Sequence, residues 1–139
     1  MDIFDELIAL LELLQNDSYG EWVIDKEHKG TADDPIPLSY LNYTEVVHKL
    51  IRAVYNFSEN NPDYNLTQYR KVLEDRGLKW NHVSLESVDV FNMDAQGIMA
   101  LLMSIVRSER FCDGAILAAL KKGIIQKCLF RLKQISGQN

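Results

Sequence analysis

The stretch "RSERFCD", Arg107 to Asp113, brings two guanidinium groups, two carboxylates and a thiol into seven consecutive residues. Each of those groups can do chemistry. Glu109 or Asp113 could act as a general acid or base, Arg107 or Arg110 could clamp an anion, and Cys112 could act as a nucleophile. A small enzyme or ligand-binding domain would use Arg107, Glu109, Arg110 and Asp113 as one cluster. The rest of such a machine is not written nearby. None of His28, His48 and His82 is close to Cys112 in the chain, and there is no glycine-rich phosphate loop or GxSxG elbow. Cys112 and Cys128 form no CxxC pair and the histidines have no HxxxH or HExxH spacing, so neither a metal nor a cofactor is expected.

The same residues also suit a structural task. They follow the apolar run Ile98 to Val106, where a buried helix must end and another begin. Asp113 is expected to cap the new helix, and Arg107 or Arg110 to bond the last carbonyls of the old one. Glu109 stands between two arginines and is expected to pair with one of them. Phe111 and Cys112 would turn inward as apolar anchors, and Gly114 would let the chains approach. On this reading Ser108 to Ala115 is a helix-to-helix joint.

The elements around that joint follow from periodicity. "DIFDELIALLELLQN" carries Ile3, Leu7, Leu10, Leu11 and Leu14 at helical spacing. Residues 16–37 break the pattern and are expected to form a long loop with one short strand around Trp22 to Ile24. Asn42 with Glu45 has the spacing of a capping box, which predicts a helix over Tyr43 to Phe57. Asn65 with Gln68 predicts a shorter helix ending at a left-handed Gly77. Residues around His82 to Val90 read either as a strand pairing with the Trp22 region or as a loop with a turn of helix. Asp94 or Asn92 caps the fourth helix, which is apolar on nearly every side and therefore belongs at a bundle's centre. A fifth helix runs from Ala115 to Lys122, stopped by Gly123. A sixth carries Ile125, Cys128, Leu129, Leu132 and Ile135 inward, and residues 136–139 are a frayed tail. The expected fold is mainly α, a compact bundle of five or six helices in one domain over 1–139, with room for one short β-hairpin.

At the joint the chain also resembles a family of small bacterial domains of unknown function. In that family an apolar helix leads into Arg-x-Glu-Arg-Phe-(Cys/Ser)-(Asp/Glu)-Gly, then a helix, a glycine and a final amphipathic helix. The matching positions are Arg107, Glu109, Arg110, Phe111, Cys112, Asp113, Gly114 and Gly123. "PIPLSYLNYTEVVHKLIRAVYNF" is similar to the family's second helix and its approach, with Tyr43 at the helix start. "YNLTQYRKVL", carrying Tyr69, takes the place of a tryptophan-bearing segment. The resemblance covers about half the chain, without the first helix or the loop to Asp34. It implies a fold and a focal surface at the joint, and no known activity.

Charge narrows the partner classes. Residues 1–106 carry 18 acids and 8 bases, and residues 107–139 carry 2 acids and 7 bases, so the two parts are −10 and +5. A basic face from Arg107, Lys121, Lys122, Lys127, Arg131 and Lys133 could meet an anionic partner, although its sparse aromatic residues argue against nucleic acid. Acids at Asp2, Asp5 and Glu6 replace the bases of a signal peptide, and no apolar run is long enough for a bilayer, which predicts a cytoplasmic protein without membrane contact. The expected role is a non-enzymatic interaction or regulatory domain with a protein partner. Trp22, Tyr40, Tyr43, Asp33 and Asp34 are candidate contacts. One form of that role is an acidic inhibitor carried by a mobile genetic element, using the ten acids before Pro35 to occupy a basic surface of a host protein.

Overall fold

The computed structural model of the chain describes residues 3–16, 19–23, 40–77, 89–112 and 114–137. Among them are helices α1 (Asp5–Asn16), α2 (Glu45–Asn60), α3 (Tyr69–Asp75), α4 (Ala95–Ser108), α5 (Ala115–Lys121) and α6 (Ile124–Ile135). Strands β1 (Gly20–Val23) and β2 (Tyr40–Tyr43) pair antiparallel. The mainly helical architecture and the short hairpin are as expected. No helix among the described residues is long and apolar enough to cross a membrane.

Helix α4 is the hub that its composition demands. Every residue from Gly97 to Val106 is buried, and the helix packs on α2, α3, α5 and α6. Burying each large aliphatic side chain there contributes about 1.5–3 kcal/mol before entropy is subtracted. Two serines in this apolar helix answer their own backbone: Ser104 Oγ donates to the Leu101 carbonyl at 2.7 Å and Ser108 Oγ to the Ser104 carbonyl at 2.7 Å. Opposite the hub, α1 lays Leu7, Leu10 and Leu14 between α2 and α6. Phe57 at the far end of α2 stacks on Phe4 at 5.4 Å and meets the edge of Tyr64 at 4.8 Å.

Asp94 caps α4 as expected, accepting the Gly97 amide at 3.3 Å. It also receives a two-pronged bond from Arg76, with Nε and Nη2 both at 2.7 Å. Arg76 further donates to the Val72 carbonyl and to Gln96 Oε1, so the end of α3 is fastened to the start of α4. The guanidinium beside Asp94 holds its carboxyl below the ordinary 3.8, against a smaller opposing effect of burial. A lowered folded-state pKa contributes stability that is present above the ordinary value and lost as pH falls through the lowered one. The Asp94 side chain is 58 % exposed, so solvent screening keeps the contribution small. Asp94→Asn, which retains a cap, should lower the melting temperature by about 3 °C near neutral pH. That gap should close as the pH is taken down to about 2. A gap equally wide in acid would show that the charge pair is not its source.

Several local readings are corrected. Helix α2 starts at Glu45 with Thr44 as its extended N-cap, and the Asn42–Glu45 box does not form because Asn42 and Tyr43 belong to β2. The Thr44 hydroxyl donates to the Tyr19 carbonyl at 3.2 Å instead. Asn65 makes no side-chain cap; it adopts a left-handed φ of 56° and opens a 3-10 turn, Leu66–Gln68, ahead of α3. Among the described residues β1 pairs with β2, with Trp22 opposite Leu41 and Val23 opposite Tyr40. The loop expected over 16–37 begins inside α1 and contains β1; its residues 24–39 lie outside the described residues, as does most of His82 to Val90. Gly77 and Gly123, with φ of +79° and +80°, end their helices as predicted.

Candidate functional site

The end of α4 is closed by its own backbone. The amides of Phe111 and Cys112 both turn back to the Ser108 carbonyl, at 3.0 and 2.9 Å, and the Arg110 amide to that of Arg107 at 3.2 Å. These bonds take the carbonyls that the arginine side chains were expected to satisfy. So tight a wrap carries residues 110–112 around the outside of the joint. Phe111 is 85 % exposed and Cys112 and Arg110 are exposed, which overturns the expectation of inward anchors.

Glu109 does what Asp113 was expected to do. From the C-cap of α4 its carboxylate reaches across the joint, where Oε2 accepts the Gly114 amide at 2.7 Å and Oε1 accepts the Ile116 amide at 3.0 Å. The Tyr43 hydroxyl donates to the same Oε1 and accepts the Leu117 amide at 3.3 Å. The Ala115 amide bonds the Cys112 carbonyl at 3.1 Å, and that of Ala118 the Gly114 carbonyl at 2.9 Å. Every amide in the first turn of α5 is therefore satisfied, and a carboxylate sits at the positive end of that helix. Gly114 holds the N-cap at φ +92°, a left-handed conformation that glycine adopts without strain. Asp113 lies outside the described residues. Among the described residues neither Arg107 nor Arg110 pairs with a carboxylate, so the expected ion pair with Glu109 is replaced by the cap.

Tyr43 reaches Glu109 because the hairpin is rooted beside it. Gly20 lies opposite Tyr43 in the register, and a Cβ on Gly20 would stand 2.8 Å from the Asn42 carbonyl oxygen and 3.1 Å from Tyr43 Cα. Next to Gly20, the Tyr19 hydroxyl donates to the Leu14 carbonyl at 2.8 Å and accepts from Gln126 Nε2 at 3.1 Å. Two tyrosines at the hairpin base thus fasten it to α1 and α6 on one side and to the α4–α5 joint on the other. The hydroxyl of Tyr43, a candidate partner contact, is engaged inside the fold.

The remaining candidates divide. Cys128 is fully buried, and burial alone pushes its thiol up to about 12, so it is protonated packing material. His48 is exposed on α2, while His28 and His82 lie outside the described residues. Asp33 and Asp34 also lie outside them, and Trp22 and Tyr40 are placed by their backbones alone. Lys121, Lys122 and Lys127 are exposed on α5, at its end and on α6. Arg131 is less available, because its Nε donates to the Met93 carbonyl at 3.0 Å. The family model of DUF6508, a family of unknown function, matches residues 3–138. The chain belongs to that family. The DUF6508 match takes in α1 and the loop before Pro35, which the resemblance at the joint does not reach. No curated protein and no solved structure matches the chain.

Proposed function

We propose that the chain is a non-enzymatic protein-interaction domain, acting in the cytoplasm, that docks through the corner between α4 and α5. The observation that carries this reading is Phe111, 85 % exposed on a joint where the amides of Arg110, Phe111, Cys112, Gly114 and Ala115 are all bonded. An aromatic ring beside an arginine, held in place before the partner arrives, is the combination that contributes most to protein interfaces. The competing reading, an enzyme or ligand site on Arg107, Glu109, Arg110 and Asp113, takes Glu109 or Asp113 as its acid or base. Of these, the Glu109 carboxylate is occupied by two amides and a phenol.

The test compares affinity capture from a native lysate by the wild-type chain, Phe111→Ser and Arg110→Glu, alongside melting curves. A partner lost with both variants while the melting temperature holds supports the reading; a partner retained by both overturns it. The narrower form of the role, an inhibitor carried by a mobile genetic element, places the contact on the acidic N-terminal part instead. It draws on the charge asymmetry, and it requires binding to a basic host protein that weakens steeply with salt and survives Phe111→Ser.

A further inference from the structure

The chain carries a socket as well as a knob. Between the start of α1 and the end of α2 lies a cavity of about 270 Å³, floored by the buried side chains of Leu7, Ala53 and Phe57. Ile3, 52 % exposed, forms one wall, and Glu6 and Asn60 stand at its polar edge. Apolar cavities of about 150 Å³ already accept a benzene ring, so a phenylalanine side chain fits this one in volume. Phe111 is the most exposed large apolar side chain among the described residues, and Arg110 stands beside it.

Knob and socket lie at opposite ends of α2. Tyr43, just before that helix, is bonded to Glu109 two residues from Phe111, whereas the socket involves Ala53 to Asn61. Sixteen helical residues separate the ends by roughly 24 Å at 1.5 Å per residue. A chain cannot place Phe111 in its own socket. We infer that Phe111 of one copy enters the α1–α2 socket of a second copy, with Arg110 set against Glu6.

Charge favours this occupant. Arg110 beside the knob is a cation and Glu6 at the socket's edge an anion, so the two surfaces attract where they meet. Because the two surfaces differ, one contact leaves a knob and a socket open, and the association either closes as a reciprocal pair, each Phe111 in the other's socket, or grows into a ring or an open chain. One ring and a few charges bury little area, so the association is weak, dependent on concentration and sensitive to salt. The inference rests on the corner being a docking element and names what docks there.

The test is sedimentation velocity at low salt from about 10 µM to about 1 mM, the span in which weak contacts show. The average mass of the wild-type chain should rise above 16.0 kDa with concentration and fall back in high salt. Phe111→Ser removes the knob and Ile3→Lys spoils the socket at an exposed position. Each variant alone should stay at the monomer mass, and an equimolar mixture should recover association that stops at one-to-one pairs. A wild-type mass that stays at 16.0 kDa throughout overturns the inference. So does an Ile3→Lys variant that associates like the wild type, which would mean a symmetric Phe111 contact. If self-association is absent but a lysate partner is lost with Phe111→Ser, this inference falls and the interaction reading stands. If Phe111→Ser changes neither, both fall.

Discussion

Glu109→Ala lowers stability by about 3 kcal/mol, a drop of roughly 10 °C in melting temperature for a chain of this size. The figure follows from what the carboxylate holds: the Gly114 and Ile116 amides at 2.7 and 3.0 Å, and the Tyr43 hydroxyl. Losing an N-cap costs about 0.5–2 kcal/mol, and hydrogen bonds to a charged partner contribute about 1.5–3 kcal/mol. Glu109→Gln keeps an acceptor oxygen and should lose about half as much. Tyr43→Phe removes one donor to the carboxylate and leaves the Leu117 amide unanswered, for about 1 kcal/mol. Since the two side chains share one network, their effects should not add; the double variant should retain at least about 0.5 kcal/mol relative to the sum. Thermal and urea unfolding of the four proteins decides the matter. A Glu109→Ala variant that melts within about 2 °C of the wild type would remove Glu109 from the structural account and return it to the list of free carboxylates.

Sequence reasoning found the hub and missed the clasp, for reasons that are physical. The run from Ile98 to Val106 has no polar face, so only a central position suits it, and that is where α4 lies. Asp94, Gly77 and Gly123 act within three or four residues of themselves, and local chemistry is legible in a local pattern. The cap on α5 is not local. Glu109 reaches forward over five and seven positions from the end of a different helix, and its third partner, Tyr43, lies 66 positions away on a strand. No spacing rule encodes that distance. The nearest acid with cap spacing, Asp113, therefore drew the assignment. Phe111 misleads in another way. An apolar residue is expected inward, but its direction is decided by the wrap of the backbone onto the Ser108 carbonyl, and that wrap turns it to solvent. The Asn42–Glu45 spacing was a similar trap, since the pairing of β2 with β1 holds Asn42 in a strand and leaves Thr44 to start the helix. For the α5 cap and for Asn42 a tertiary contact overrides a local preference, for Phe111 a local turn overrides the hydropathy pattern, and two of the three cases lie at the α4–α5 joint. That concentration is a reason to look there for what the chain does.

Gly20→Val should disturb that joint from a distance. Its Cβ would stand 2.8 Å from the Asn42 carbonyl oxygen and 3.1 Å from Tyr43 Cα, and both are backbone atoms that cannot rotate away. The pair Gly20–Tyr43 is the base of the hairpin, so β2 must move outward where Tyr43 bonds Glu109 and Leu117. Overpacking of this kind costs about 1–3 kcal/mol, and the weakened Tyr43 bonds bring the expected loss to the upper end of that range. Loss of stability alone would not show the route. The informative measurement is the further effect of Tyr43→Phe, about 1 kcal/mol in the wild type, which should shrink toward zero in the Gly20→Val background because the hydroxyl is already displaced. An undiminished effect would mean that the hairpin yields elsewhere and that Tyr43 stays on Glu109. In that event the glycine serves only the strand pair, and the joint is braced independently of it.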